Sequence, residues 1–83
     1  MDYSIVITDR ALKDIEKLDA KMKERIGSKI RILVKDPLRS TRKLTDPKIG
    51  SYRLRVGDYR VIFDIEDHEI VVLRIGHRKN IYE

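Results

Sequence analysis

Three arginines fall within eight residues, Arg53, Arg55 and Arg60, in the stretch SYRLRVGDYRVIF. A second group, His77, Arg78 and Tyr82, lies in the closing GHRKNIYE. Guanidinium groups bind phosphate oxygens in forked, bidentate geometry and stay charged near neutrality. Histidine is the usual proton carrier near pH 7. A phenol, with an ordinary pKa of about 10, becomes a more accessible base when cations lower it. Together these types suit phosphoryl chemistry on an anionic substrate, with charge stabilisation supplied by fixed cations.

The elements around them must bring the arginines together. Gly57-Asp58 separates two alternating runs, residues 51–56 and 59–65. Glycine in the first central position suits a type II′ hairpin turn. A two-residue turn fixes the register, so Arg55 faces Arg60, Leu54 faces Val61 and Arg53 faces Ile62. Side chains alternate across a strand. Tyr52, Leu54, Val56, Tyr59, Val61 and Phe63 therefore share the core face, and Arg53, Arg55 and Arg60 share the other. Like charges directly opposite each other destabilise a sheet by roughly 0.2–1 kcal/mol. A cluster held against that repulsion points to an anion site. Its alternative is a cover of aliphatic arginine stems over a bare sheet. Asp64, on the same strand and the same face as Arg60, is expected to relieve one arginine.

A last strand is expected over residues 70–75 after a turn at 66–68. A three-residue turn there pairs Arg74 with Arg60; a two-residue turn sends Arg74 to the core side. The first is favoured, because a buried arginine without a partner is costly. Upstream, residues 3–7 are β-branched and read as a strand. Thr8 and Asp19 offer N-cap oxygens for two helices. Ala11, Leu12, Ile15 and Leu18 supply the first apolar stripe, and Met22, Ile26, Ile30, Leu33 and Val34 the second, with Pro37 as a stop. Residues 37–50 hold both prolines and read as a loop that carries Arg39, Arg42, Lys43 and Lys48. The expected fold is a two-layer α+β domain spanning residues 1–83, ordered β-α-α-β-β-β. A helical hairpin packs on one face of a mainly antiparallel four-stranded sheet.

Composition narrows the function. The chain has 83 residues, 19 Lys/Arg against 14 Asp/Glu, a net charge of +5 and no cysteine. Residues 37–60 hold seven basic and two acidic side chains, +5, which equals the net charge of the chain. A concentrated positive field fits a polyanion partner. Without cysteine there is no disulfide framework. No histidine pair has ligand spacing, so neither a metal nor a cofactor is expected. No apolar run suits a membrane span, and the N-terminus lacks a signal-peptide pattern. A cytoplasmic location is expected. His68 sits in an acidic EDHE turn and reads as solvated.

YRLRVGDYRVIF followed by IVVLRIGHRKNIY resembles the RelE branch of the RelE/ParE toxin superfamily, and the resemblance covers nearly the whole chain. It implies the toxin of a type II toxin-antitoxin system: a metal-independent endoribonuclease that cuts mRNA in the ribosomal A site. Its implied partners are a RelB-like antitoxin, the ribosome and mRNA, with Arg39, Arg42, Lys43 and Lys48 of the loop as candidate contacts to RNA or the ribosome. By position, Arg53, Arg55, Arg60, Arg78 and Tyr82 match the family's basic and tyrosine set. The best-known bacterial member has lysines at the positions of Arg53 and Arg55. Arginine is no practical general base, so that role is not available there. Alternatives are a ParE-like toxin that inhibits DNA gyrase by binding, and a non-catalytic RNA-binding module.

Overall fold

The structure is a computed structural model that describes residues 2–39, 41–43 and 51–81, with only the backbone of 41–43. The chain runs β1 (Ser4–Ile7), α1 (Asp9–Glu16), α2 (Ala20–Leu33), β2 (Thr41–Lys43), β3 (Tyr52–Val56), β4 (Tyr59–Glu66) and β5 (Glu69–His77). The strands form one sheet in the order β1-β5-β4-β3-β2. β1 runs parallel to β5, and the other pairs are antiparallel. The two-layer α+β architecture is as expected, with a short fifth strand added.

Both helices begin where the capping residues place them. Thr8 Oγ1 accepts from the Ala11 N–H at 3.2 Å, and Asp19 Oδ1 accepts from the Met22 N–H at 2.7 Å. Each side chain satisfies a donor that the first helical turn leaves without a backbone partner. Thr8 also donates to the Val72 carbonyl at 2.8 Å, tying the start of α1 to β5. Between the layers lie Ala11, Leu18, Ile26 and Leu33 from the helical side and Leu54, Val56, Val61, Phe63, Ile70, Val72 and Ile75 from the sheet. Leu12 departs from the expected stripe and is half exposed.

β2 is a correction to the loop reading of residues 37–50. It pairs with β3, setting Thr41 opposite Leu54, Arg42 opposite Arg53 and Lys43 opposite Tyr52. Three polar residues at a sheet edge carry no apolar alternation to reveal them. Short, charged strands are how natural sheets protect their edges.

Arg74 is a second correction. The turn is of two residues, with Asp67 at φ 54° and Glu66 opposite Glu69. An irregularity between Ile62 and Phe63 then shifts the register by one, setting Arg74 opposite Ile62 and Gly76 opposite Arg60. A β-bulge reverses the parity that a turn length alone would impose. Arg74 thus does not meet Arg60. Its Nε donates to Asp14 Oδ2 at 3.0 Å. The same oxygen accepts from the Ile75 N–H at 2.9 Å. β1 covers β5 only as far as Val72. Asp14, 7% exposed, supplies the acceptor that a longer β1 would have supplied to Ile75.

Candidate nucleic-acid interface

The β3–β4 hairpin has the expected register: Val56 opposite Tyr59, Arg55 opposite Arg60, Leu54 opposite Val61 and Arg53 opposite Ile62. Gly57 takes φ 59°, the left-handed region the turn requires. Because Leu54, Val56, Val61 and Phe63 pack toward the helices, Arg53, Arg55 and Arg60 stand on the opposite face. β2 extends this arrangement, since the register position of Arg42 is directly beside Arg53. One row across the sheet reads Arg42, Arg53, Ile62, Arg74, and the next reads Arg55, Arg60, Gly76.

The arginines on this face differ in freedom. Arg55 is exposed and has no ion pair among the described residues. Arg53 is half-buried and makes further interactions. Arg60 is only 8% exposed. Its Nη1 donates to the carbonyls of Gly57 and Tyr59, each at 2.8 Å, so its guanidinium braces the turn. Such charge-assisted bonds hold the group in a fixed orientation. Ile62, in the same face, is fully buried. Part of the face is therefore a packed surface, and Arg55 is its outward cation. Asp64 pairs with no arginine among the described residues; its Oδ1 accepts from the Ser51 N–H at 2.7 Å and so anchors the entry to β3.

Arg78 sits at the hairpin tip. The Arg78 N–H donates to the Asp58 carbonyl at 2.8 Å, and Arg78 Nε lies 3.8 Å from Asp58 Oδ1. Arg78 is 55% exposed in its side chain. A loose, solvated pair of this kind contributes little to stability and leaves the guanidinium available. His77 is opposite Tyr59, hence on the helix-side parity, and the two rings meet edge to face with centroids 5.5 Å apart. Its Nδ1 accepts from the Lys79 N–H at 3.2 Å. The structure therefore does not bring His77 together with the arginines. After β5 the chain turns back, with the Ile81 N–H on the His77 carbonyl at 3.0 Å. Ile81 is buried over Gly76, where an added Cβ would lie 3.1 Å from Ile81 Cδ1.

Of the expected RNA or ribosome contacts, Arg39 is exposed and lines a groove with Ser28, Arg31 and Ile32 of α2. Arg42 and Lys43 are placed by register alone. Tyr82 and Lys48 lie outside the described residues. No group of three or more metal-ligating side chains occurs among the described residues. No helix there is long and apolar enough to cross a membrane.

Comparison with known proteins agrees with this geometry. Residues 5–82 match the family model described as the ParE toxin of the type II toxin-antitoxin system parDE. Toxin RelG of Mycobacterium tuberculosis is 31% identical over 85 residues, covering 99% of this chain and 98% of RelG. The toxin-antitoxin complex RelBE2 of the same organism contains a chain that superposes with a TM-score of 0.85 at 28% identity, covering 94% of this chain and 100% of that one. The archaeal RelE-RelB complex of Pyrococcus horikoshii gives a TM-score of 0.79 at 28% identity, covering 96% and 99%. Fold, hairpin and the match over nearly the full length agree: the chain belongs to the RelE/ParE superfamily as a RelE-type toxin of a type II toxin-antitoxin system.

Proposed function

We propose that this toxin is a metal-independent, ribosome-dependent endoribonuclease that cuts mRNA in the ribosomal A site, acting in the cytoplasm and neutralised by a RelB-like antitoxin. The observation that carries the reading is the hairpin register, which sets Arg53, Arg55 and Arg60 on the sheet face opposite the helices. In the reaction the ribose 2′-OH loses its proton and bonds to phosphorus. The bond to the 5′-oxygen breaks, and that oxygen takes up a proton. The products are a 2′,3′-cyclic phosphate and a 5′-hydroxyl end. Negative charge grows on the phosphoryl oxygens along this path, and preorganised cations stabilise it without reorganising.

Arg55 is the exposed cation for the scissile phosphate, and Arg53 shares the charge. Arg60 holds the turn rigid and contributes its field from beneath. Arg78 approaches from the hairpin tip. Tyr82 is the candidate for proton transfer, since a phenol is the one remaining group in the set that cations favour toward a basic anion. His77, held on the helix side, supports the turn that follows β5. Acid–base equipment this sparse suits an enzyme whose substrate is oriented by another macromolecule, because positioning alone supplies a large rate factor.

The test is a single-turnover cleavage rate on programmed ribosomes. Arg55→Ala is expected to lose roughly 100- to 1,000-fold, the usual worth of one transition-state donor, with unchanged thermal stability. Arg60→Ala is expected to lose both rate and stability. An Arg55→Ala protein that cuts at the wild-type rate would remove the arginine face from the chemistry.

A further inference from the structure

The segment that follows β5 has one buried side chain. Arg78, Lys79 and Asn80 are exposed, whereas Ile81 is only 2% exposed. Ile81 also stands outside the cluster that packs the helices on the sheet. Its seat is Gly76. That glycine lies beside Arg60 in the β4–β5 ladder, so a side chain there would project on the same side of the sheet as Arg60. Ile81 takes that space instead: an added Cβ would lie 3.1 Å from its Cδ1 and 3.9 Å from its Cβ. Two backbone bonds turn the chain toward the seat. The Asn80 N–H donates to the His77 carbonyl at 2.9 Å, and the Ile81 N–H donates to the same oxygen at 3.0 Å. Arg78 lies within this turn, its own N–H on the Asp58 carbonyl at 2.8 Å. The exposed pair that its guanidinium makes with Asp58, at 3.8 Å, holds it only loosely. Burial of an aliphatic side chain is the stronger restraint on the segment.

We propose that Ile81 is a positioning residue: seated on Gly76, it closes the 77–81 turn and thereby fixes where Arg78 stands at the hairpin tip. This rests on the proposed function, which gives Arg78 its place in RNA cleavage, and deepens it by naming what aims that arginine. A cation stabilises a transition state only from the position in which it is held, and a displacement of about 1 Å can cost about 100-fold in rate. Loss of the seat leaves Arg78 charged and exposed but no longer aimed. Gly76 is the other half of the device, since its missing side chain is what admits Ile81.

The experiment has two readouts on variants shown by circular dichroism to be folded. Amide hydrogen exchange followed by NMR reports on Arg78 without any need for cleavage. In Ile81→Ala the Arg78 amide is expected to exchange at least about 10-fold faster than in wild type, with the Val61 amide unchanged. Single-turnover cutting on saturating programmed ribosomes reports on the reaction. Ile81→Ala is expected to slow it by about 100-fold, and to add little in an Arg78→Ala background, because both changes act through one side chain. Gly76→Ala is expected to slow cutting, and Ile81→Val, which removes the crowding Cδ1, to restore it. Ile70→Val, a packing loss at the far end of β5, controls for stability and is expected to cut at the wild-type rate. An Arg78 amide that exchanges no faster in Ile81→Ala overturns the proposal, and so do losses that add fully in the Ile81→Ala/Arg78→Ala pair. Faster exchange in a protein whose wild type cuts nothing upholds the seat and removes the cleavage reading alone.

Discussion

Asp14 is the most informative residue for the architecture, because one carboxylate oxygen serves two elements. It accepts from the Ile75 backbone at 2.9 Å and from Arg74 Nε at 3.0 Å. Arg10 adds only a distant, exposed contact at 3.8 Å. In Asp14→Ala the Ile75 N–H loses its acceptor, at about 1–3 kcal/mol, and Arg74 loses a charged partner, at about 1.5–3 kcal/mol. Relief of the carboxylate's own desolvation offsets part of this, leaving a net cost of about 3 kcal/mol. A domain of this size has roughly 4–12 kcal/mol in total. The melting temperature should fall by about 12–24 °C, at roughly 4–8 °C per kcal/mol. Asp14→Asn keeps an oxygen for Ile75 and should cost about 1 kcal/mol. Urea unfolding followed by circular dichroism, at unchanged m-value, is the assay. An alanine variant within about 1 kcal/mol of wild type, or an asparagine variant as unstable as alanine, would refute the view that Asp14 completes the β5 edge.

Two further perturbations test how the hairpin and the helix start are held. Thr8→Ala removes both the cap on Ala11 and the bond to Val72, so it should cost about 1–2 kcal/mol in urea unfolding, while Thr8→Ser should restore most of it. Gly57→Ala forces a side chain into φ 59° beside Arg25 and should cost about 1–2 kcal/mol; adding Arg25→Ala should recover only the contact, leaving the backbone strain.

The arginine face was legible in the sequence because a two-residue Gly57-Asp58 turn admits one register, and strand alternation then places Arg53, Arg55 and Arg60 without further information. The helix caps were legible for a similar reason: Thr8 and Asp19 act on neighbours three residues away. What escaped depends on contacts distant in sequence. The irregularity at Ile62/Phe63 leaves no compositional trace, yet it decides which way Arg74 points. Asp14 looks like any polar residue on a helix until β1 stops short and exposes the Ile75 N–H 61 positions away. Arg25 likewise reads as surface charge until α2 lies against the hairpin turn. Arg42 moved from an expected loop to a strand because edge pairing needs backbone rather than apolar side chains.

The central claim of the proposed function is that the toxin cuts ribosome-bound mRNA without a metal, using its basic and tyrosine side chains. Its most direct test is a 5′-end map of a defined mRNA incubated with the purified protein, with and without programmed ribosomes and in excess chelator. The account predicts cuts confined to the A-site codon that need the ribosome, survive chelation, leave 5′-hydroxyl ends and vanish in an Arg78→Ala/Tyr82→Phe double variant. A folded protein that binds ribosomes or gyrase but leaves the mRNA intact under every condition would contradict it.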